Sequence, residues 1–147
     1  MSQTDNSLDY LFIINQYNEP LLFKSYRSSA DDLNIQLHSY ACLDFLDEKV
    51  MEKSSEYLGQ VYTILNLSGE YSVYAFYTVT RMKFLAIFRQ NSIDKLDEEK
   101  MKGFFLKVYK LYRKELYQPF ENLIEENKFS RKFHGILDAL AKTHQFK

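Results

Sequence analysis

His38, His134, His144 and Cys42 are the side chains with which this chain could do metal or nucleophilic chemistry, and their spacing supports neither. Zinc sites carried on one helix set histidines a few residues apart, and nucleophilic sites pair a thiol or hydroxyl with a base. The three histidines form no HExxH or HxxxH arrangement, so each is read as a partly exposed structural residue. One cysteine offers neither an internal disulfide nor a CxxC metal pair. Cys42 falls on the apolar side of a helical pattern with Asp44 and Asp47 near it, the wrong sign for activating a thiol. It is read as a small core residue. Gly59, Gly69, Gly103 and Gly135 match neither GxxxxGKS/T nor GxGxxG, so no phosphate-cradling loop is expected. No catalytic residue, cofactor or metal ligand is assigned.

With no catalytic constellation, the surface becomes the place to look. Aromatic residues make up 16% of the chain, as 12 Tyr and 12 Phe without Trp. Tyrosine joins an apolar body to a polar tip and is favoured at protein interfaces. Most of these rings are assigned to the core and a minority to an interface. The 147 residues suit a single domain, 1–147, able to enclose a core without disulfides. A net charge of −1 gives no global electrostatic reason to bind nucleic acid. Met1 to Ser7 is polar and does not read as a signal peptide, and no apolar run approaches the ~20 residues that span a bilayer. These features point to the cytosol.

The elements that must carry any surface follow from periodicity. Leu8–Asn15 reads as a strand, Tyr17–Pro20 as a turn, and Leu21–Tyr26 as a returning strand, together an antiparallel hairpin. Ser28, Ser29 and Asp31 offer N-cap oxygens for a helix from about Ala30 to about Lys53. Strands follow at Tyr57–Asn66, Tyr71–Thr80 and Lys83–Phe88, with a turn at Leu67–Glu70 and a polar loop at Asn91–Asp97. Met101, Phe104, Phe105, Val108, Leu111 and Tyr112 mark an amphipathic helix with an acidic first turn, stopping before Pro119. Phe129, Phe133, Ile136, Leu137 and Leu140 mark a last helix. The order β-β-α-β-β-β-α-α, with short links between strands, predicts an α+β domain: an antiparallel sheet with helices on its faces.

Two helix faces stand out. On the first helix, Ile35, Ser39, Cys42, Leu43, Leu46 and Val50 share one side and are assigned to the core. Opposite them runs a second line, Leu33, Leu37, Tyr40 and Asp44, with Asp47, Glu48 and Met51 nearby. An apolar patch rimmed by carboxylates is read as a protein-binding surface, ahead of the reading that a loop or the N-terminal segment covers it. On the next helix, Lys100, Lys102, Lys107, Lys110, Arg113 and Lys114 have no acid among them. This stripe fits an acidic partner or anionic lipid, or a solvated face that complements the helix dipole; the solvated face is preferred.

Four segments then carry a family resemblance. Leu43-Asp44-Phe45-Leu46-Asp47-Glu48, the run Tyr74–Phe84, the run Gly103–Tyr112, and Gln118-Pro119-Phe120 come in the order found in the sedlin family. That family is subunit 2, with its subunit 2-like paralogue, of the TRAPP vesicle-tethering complex. The resemblance runs from about Leu8 to His144. Gln118 replaces the family's Asn, and the following loop is short and acidic, with Glu121, Glu125 and Glu126. The resemblance implies a longin-like fold: a five-stranded antiparallel sheet, one helix on one face and two on the other. It implies a non-enzymatic subunit of endoplasmic reticulum to Golgi transport, joining core and peripheral subunits of a complex that activates a Rab GTPase. Membrane association would be peripheral and through the complex only. A partner-contact role carries onto Asp44, and more weakly onto Asp47 and Glu48; Phe84 is expected in the core. The alternative is a longin-type regulatory or adaptor domain binding a SNARE or coat protein. A SNARE is expected to continue into a heptad-bearing helix and an anchor, which this sequence does not contain. A small enzyme would instead need a deep polar pocket with convergent titratable groups.

Overall fold

The computed structural model describes residues 8–26, 32–52, 56–66, 69–89, 97–116, 131–144 and 146. They fall in two compact units, Met1–Asp94 and Lys95–Lys147. The N-cap candidates Ser28, Ser29 and Asp31, the Leu67-Ser68 turn, Pro119 with its neighbours, the acidic loop and Phe129 lie outside the described residues, as do the side chains of Val50 and Met51.

The first unit is a five-stranded sheet in the order β2-β1-β5-β4-β3, every pair antiparallel. The strands are β1 (Tyr10–Ile14), β2 (Pro20–Ser25), β3 (Tyr57–Asn66), β4 (Gly69–Tyr77) and β5 (Lys83–Arg89). β5 is central, with Tyr10 opposite Ile87 on one side and Val73 opposite Ile87 on the other. This explains why β1 and β5 read as continuous apolar runs: their residues are buried on both faces. Tyr10, Phe12, Ile14, Val73, Ala75, Leu85 and Ile87 share one face and one hydrophobic cluster. The alternate residues Leu11, Ile13, Tyr74, Phe76, Phe84, Ala86 and Phe88 are buried too. Each fully buried Leu, Ile or Phe contributes about 1.5–3 kcal/mol of apolar burial.

The turns refine the predicted boundaries. In the first, the Asn15 carboxamide oxygen accepts from the backbone N–H groups of Tyr17 and Glu19 at 2.9 Å each. Asn18 takes a left-handed φ of 63°, which asparagine tolerates. Pro20 is not a turn residue but opens β2, opposite Ile14, an edge position where its missing N–H costs nothing. β4 starts earlier and ends sooner than the expected 71–80. Gly69 belongs to the strand, paired with Asn66, and the strand stops at Tyr77. There Thr78 folds the chain back: its hydroxyl accepts from the Met82 N–H at 3.0 Å, and its carbonyl from the Arg81 N–H at 2.9 Å. At Gly69 φ is +151° and an added Cβ would sit 3.3 Å from Arg89 Nε, so only glycine fits unstrained. Asp9 ties the ends of β1 and β5, its carboxylate accepting from the Arg89 N–H. Burial outweighs that bond and the Arg89 charge, and pushes the Asp9 carboxyl up to about 6.

The expected first helix is divided into α1 (Asp32–Ala41) and α2 (Leu43–Glu52). At Cys42 the main-chain bonds persist, from Cys42 N to His38 O and from Leu46 N to Cys42 O. The Cys42 thiol also donates to the Ser39 carbonyl at 3.1 Å, a side-chain bond that competes with the helical ladder where the break falls. Ile35, Cys42, Leu43 and Leu46 join the sheet cluster, and Ser39 is buried with them. The Tyr10 hydroxyl donates to Asp32 Oδ1 at 2.8 Å, tying the sheet to the start of α1.

The second unit holds α3 (Glu98–Leu116) and α4 (Arg131–Thr143). Asp97 caps α3, its Oδ1 accepting from the Glu99 N–H at 3.3 Å. Met101, Phe104, Phe105, Val108 and Tyr112 form its buried face, as expected, while Leu111, expected with them, is half-buried. On α4 the buried line is Phe133, Leu137 and Ala141; Ile136 is exposed and Leu140 half-buried, so the core stripe is narrower than expected. A strict i, i+4 line needs only small Ala141 where the sequence offered Leu140. The end of the chain returns to α3: Asp97 N–H donates to the Phe146 carbonyl at 2.8 Å, and the Phe104, His144 and Phe146 rings lie 4.8–5.4 Å apart. Burial lowers the His144 pKa, in keeping with a structural histidine.

Candidate partner-binding face

The face of α1 and α2 turned away from the sheet is where the surface chemistry concentrates. Leu33 is 68% exposed, Leu37 60% and Tyr40 39%. Asp44, Asp47 and Glu48 are exposed as well. All six candidates are thus exposed, and Asp47 has a second engagement. Tyr40 is not a loose ring: its edge meets Phe12 at 5.6 Å, which fixes the aromatic at the rim of the core.

Asp47 reaches the sheet. Its Oδ1 lies 3.4 Å from Lys83 Nζ, and Lys83 is only 3% exposed. The same ammonium donates to Asn18 Oδ1 in the first turn and stands 5.5 Å from the Tyr77 ring. A buried ammonium is costly without a counter-charge, and Asp47 supplies it. Burial, and then the Asp47 charge, raise the Tyr77 pKa. The two aspartates of the Leu-Asp-x-x-Asp-Glu segment therefore differ: Asp47 ties α2 to the first residue of the central strand β5, while among the described residues Asp44 shows no such tie.

Sequence reasoning missed Phe45, which is 42% exposed. The signal was present, because Leu33, Leu37, Ala41 and Phe45 repeat every four residues and Ala41 is also exposed. The apolar line is one turn longer than the wheel reading gave. Lys83 was missed too; a lysine heading an apolar strand reads as an edge residue unless its carboxylate partner is known.

The chemistry available here is apolar contact with a carboxylate rim. The Cys42 thiol is buried and pushed up to about 12, so it is not a thiolate at neutral pH. Among the described residues no group of three or more His, Cys, Asp or Glu is placed to hold a metal ion. No helix among them is long and apolar enough to cross a membrane.

An α+β unit built on a five-stranded antiparallel sheet, with a helix presenting an acid-rimmed apolar face, is the class that fold and site define. The model of the sedlin family matches residues 9–143. The chain belongs to the sedlin family. It is also similar to a trafficking protein particle complex subunit 2-like protein of Dictyostelium discoideum, at 26% identity over 138 residues, covering 87% of this chain and 94% of that relative.

Proposed function

We propose that this chain is a non-catalytic subunit of a TRAPP-type vesicle-tethering complex and that the outer face of α1 and α2 binds a neighbouring subunit. The observation that carries the reading is the exposed line Leu33, Leu37, Tyr40 and Phe45 beside Asp44 and Glu48, in a chain of the sedlin family. Four large exposed apolar side chains, three on α1 and one on α2, are more than helices covering a sheet need. Asp44 and Glu48 supply the polar rim that gives such a patch its specificity. Within the complex the chain acts as an adaptor between core and peripheral subunits. The assembly serves endoplasmic reticulum to Golgi transport and activates a Rab GTPase. The chain is cytoplasmic and peripheral to those membranes, and its two compact units work as one domain, since the family match runs across both.

Affinity purification of the tagged chain, read by mass spectrometry, is expected to return other TRAPP subunits; recovery of the chain by itself overturns the proposal. Asp44→Tyr places a bulky ring where an exposed acid stood. It is expected to lose those subunits while the melting temperature stays within a degree or two, because an exposed acid contributes little to folding. A large fall in melting temperature would give Asp44 a structural role instead.

A further inference from the structure

The solvent side of α3 is charged in a way its fold does not require. Between residues 100 and 114 there are six basic side chains and no acid. The whole chain stands at −1, so that segment at +6 leaves the remainder at −7. Lys102, Lys107, Lys110, Arg113 and Lys114 are all exposed. They occupy the arc opposite Met101, Phe104, Val108 and Tyr112, with Lys110 near its middle. Among the described residues Lys102, Lys107, Lys110 and Lys114 form no ion pair. The next acid along the helix, Glu115, is buried. In the midst of this arc Leu106 is 48% exposed, an apolar side chain among ammonium groups. The residue types also inform. Five of the six cations are lysines, flexible point charges without the planar fork that recognises one carboxylate bidentately. The single Arg113 stacks over the Tyr109 ring at 5.6 Å.

We propose that this face of α3, Lys102, Leu106, Lys107, Lys110, Arg113 and Lys114, docks on an anionic lipid bilayer surface. Lysines spread over about 18 Å of helix suit a partner whose negative charges are many and mobile, as lipid headgroups are. A protein partner with fixed carboxylates would favour arginine forks. Leu106 sits where it can enter the headgroup layer, adding an apolar contact that does not depend on salt. The proposal is independent of the α1–α2 face, and gives the chain a membrane contact of its own.

Flotation of the full chain with vesicles of phosphatidylcholine and phosphatidylserine tests it. Binding is expected with 40% phosphatidylserine at 50 mM NaCl, none with phosphatidylcholine alone, and release at 500 mM NaCl as the Debye length shrinks to a few ångströms. At roughly fivefold per lysine, K107E/K110E/K114E is expected to weaken partitioning by about a hundredfold or more. Leu106→Ser should weaken it several-fold and leave a remainder wholly salt-sensitive. R131E/K132E/K142E reverses the same number of exposed charges on α4 and should retain binding. Circular dichroism confirms that each variant is folded. The proposal is overturned if the wild type fails to float with anionic vesicles at 50 mM NaCl, or if the α4 variant loses binding as fully as the α3 variant. Binding to soluble polyglutamate with no vesicle binding would assign the face to an acidic protein, and equally overturn it.

Discussion

The outer side of α1 and α2 and the outer side of α3 are both the solvent faces of amphipathic helices, yet they carry opposite surpluses. The first exposes Leu33, Leu37, Tyr40 and Phe45 with carboxylates beside them. The second exposes cations with one leucine among them. Apolar surface acts only on contact, by losing water to a matching shape. Single-sign charge acts across a Debye length and needs no matching shape. The contrast is between a face whose surplus is apolar surface and a face whose surplus is positive charge.

The largest effect that could break this comparison lies within α1 itself. Ile35→Ala, on the sheet-facing side, is expected to cost about 2–5 kcal/mol in urea unfolding. Leu37→Ala, two residues on and facing solvent, should stay within about 0.5 kcal/mol. Equal costs would make the outer line part of the core and remove the binding face.

The second effect is a pH dependence belonging to neither face. The Asp9 carboxyl stands at about 6 in the folded chain against 3.8 as its ordinary value. Its folded pKa is raised, so the folded state holds an extra proton between those values. Its contribution to stability is complete below about pH 4 and is lost as pH rises through about 6. Unfolding free energies of Asp9→Asn and wild type should therefore diverge from pH 4 to pH 7, in favour of the variant, by roughly 2–3 kcal/mol. Partner and vesicle binding should show no such step; a matching step in binding would tie the faces to this folding linkage.

A smaller effect divides the two aspartates of one segment. Asp47→Ala leaves Lys83 buried without its counter-charge and is expected to cost about 1–2 kcal/mol, moderated because Asp47 is half-exposed. Adding Lys83→Met should restore most of that loss. Asp44→Ala should cost almost nothing in stability, and the reverse outcome would exchange the two roles. The smallest effect is a gain. Gly103 lies within α3, and a Cβ there meets nothing within 4 Å. Gly103→Ala is expected to stabilise by about 0.5–1 kcal/mol in thermal unfolding. Vesicle flotation should be unchanged, since no cation is touched; a lost interaction would mean the bilayer contact depends on close backbone approach.

Much of this was legible in the chain. Ile35, Cys42, Leu43 and Leu46 were placed correctly because one helical face against a sheet leaves a clean 3.6-residue signal. The β-β-α-β-β-β order survived because each strand carries its own apolar run and turn. Local errors came where side chains answered the backbone: the Thr78 hydroxyl ended β4 early, and the Cys42 thiol stands at the break between α1 and α2. The site was half legible. Leu33, Leu37, Tyr40 and Asp44 follow from the wheel, but the tie between Asp47 and Lys83 joins residues that no periodicity relates. For the basic stripe the preferred reading was a solvated face. The exposure of its cations, the lack of ion pairs at Lys102, Lys107, Lys110 and Lys114 among the described residues, and the position of Leu106 favour the proposal of a surface partner.

The place of β5 at the centre of the sheet sets a timetable for synthesis. β1–β2 and β3–β4 are hairpins that can close as soon as they leave the ribosome, but their strands are hydrogen-bonded into one sheet only through β5, whose pairing joins Tyr10 to Ile87. Until residues 83–89 emerge, the two hairpins are separate ribbons, each marginal in water, and α1 and α2 have no completed sheet to cover. A nascent chain halted before Lys83 would thus lack the support that holds Leu33, Leu37 and Asp44 in place. Only a chain that has passed that point has a completed sheet for α1 and α2 to cover.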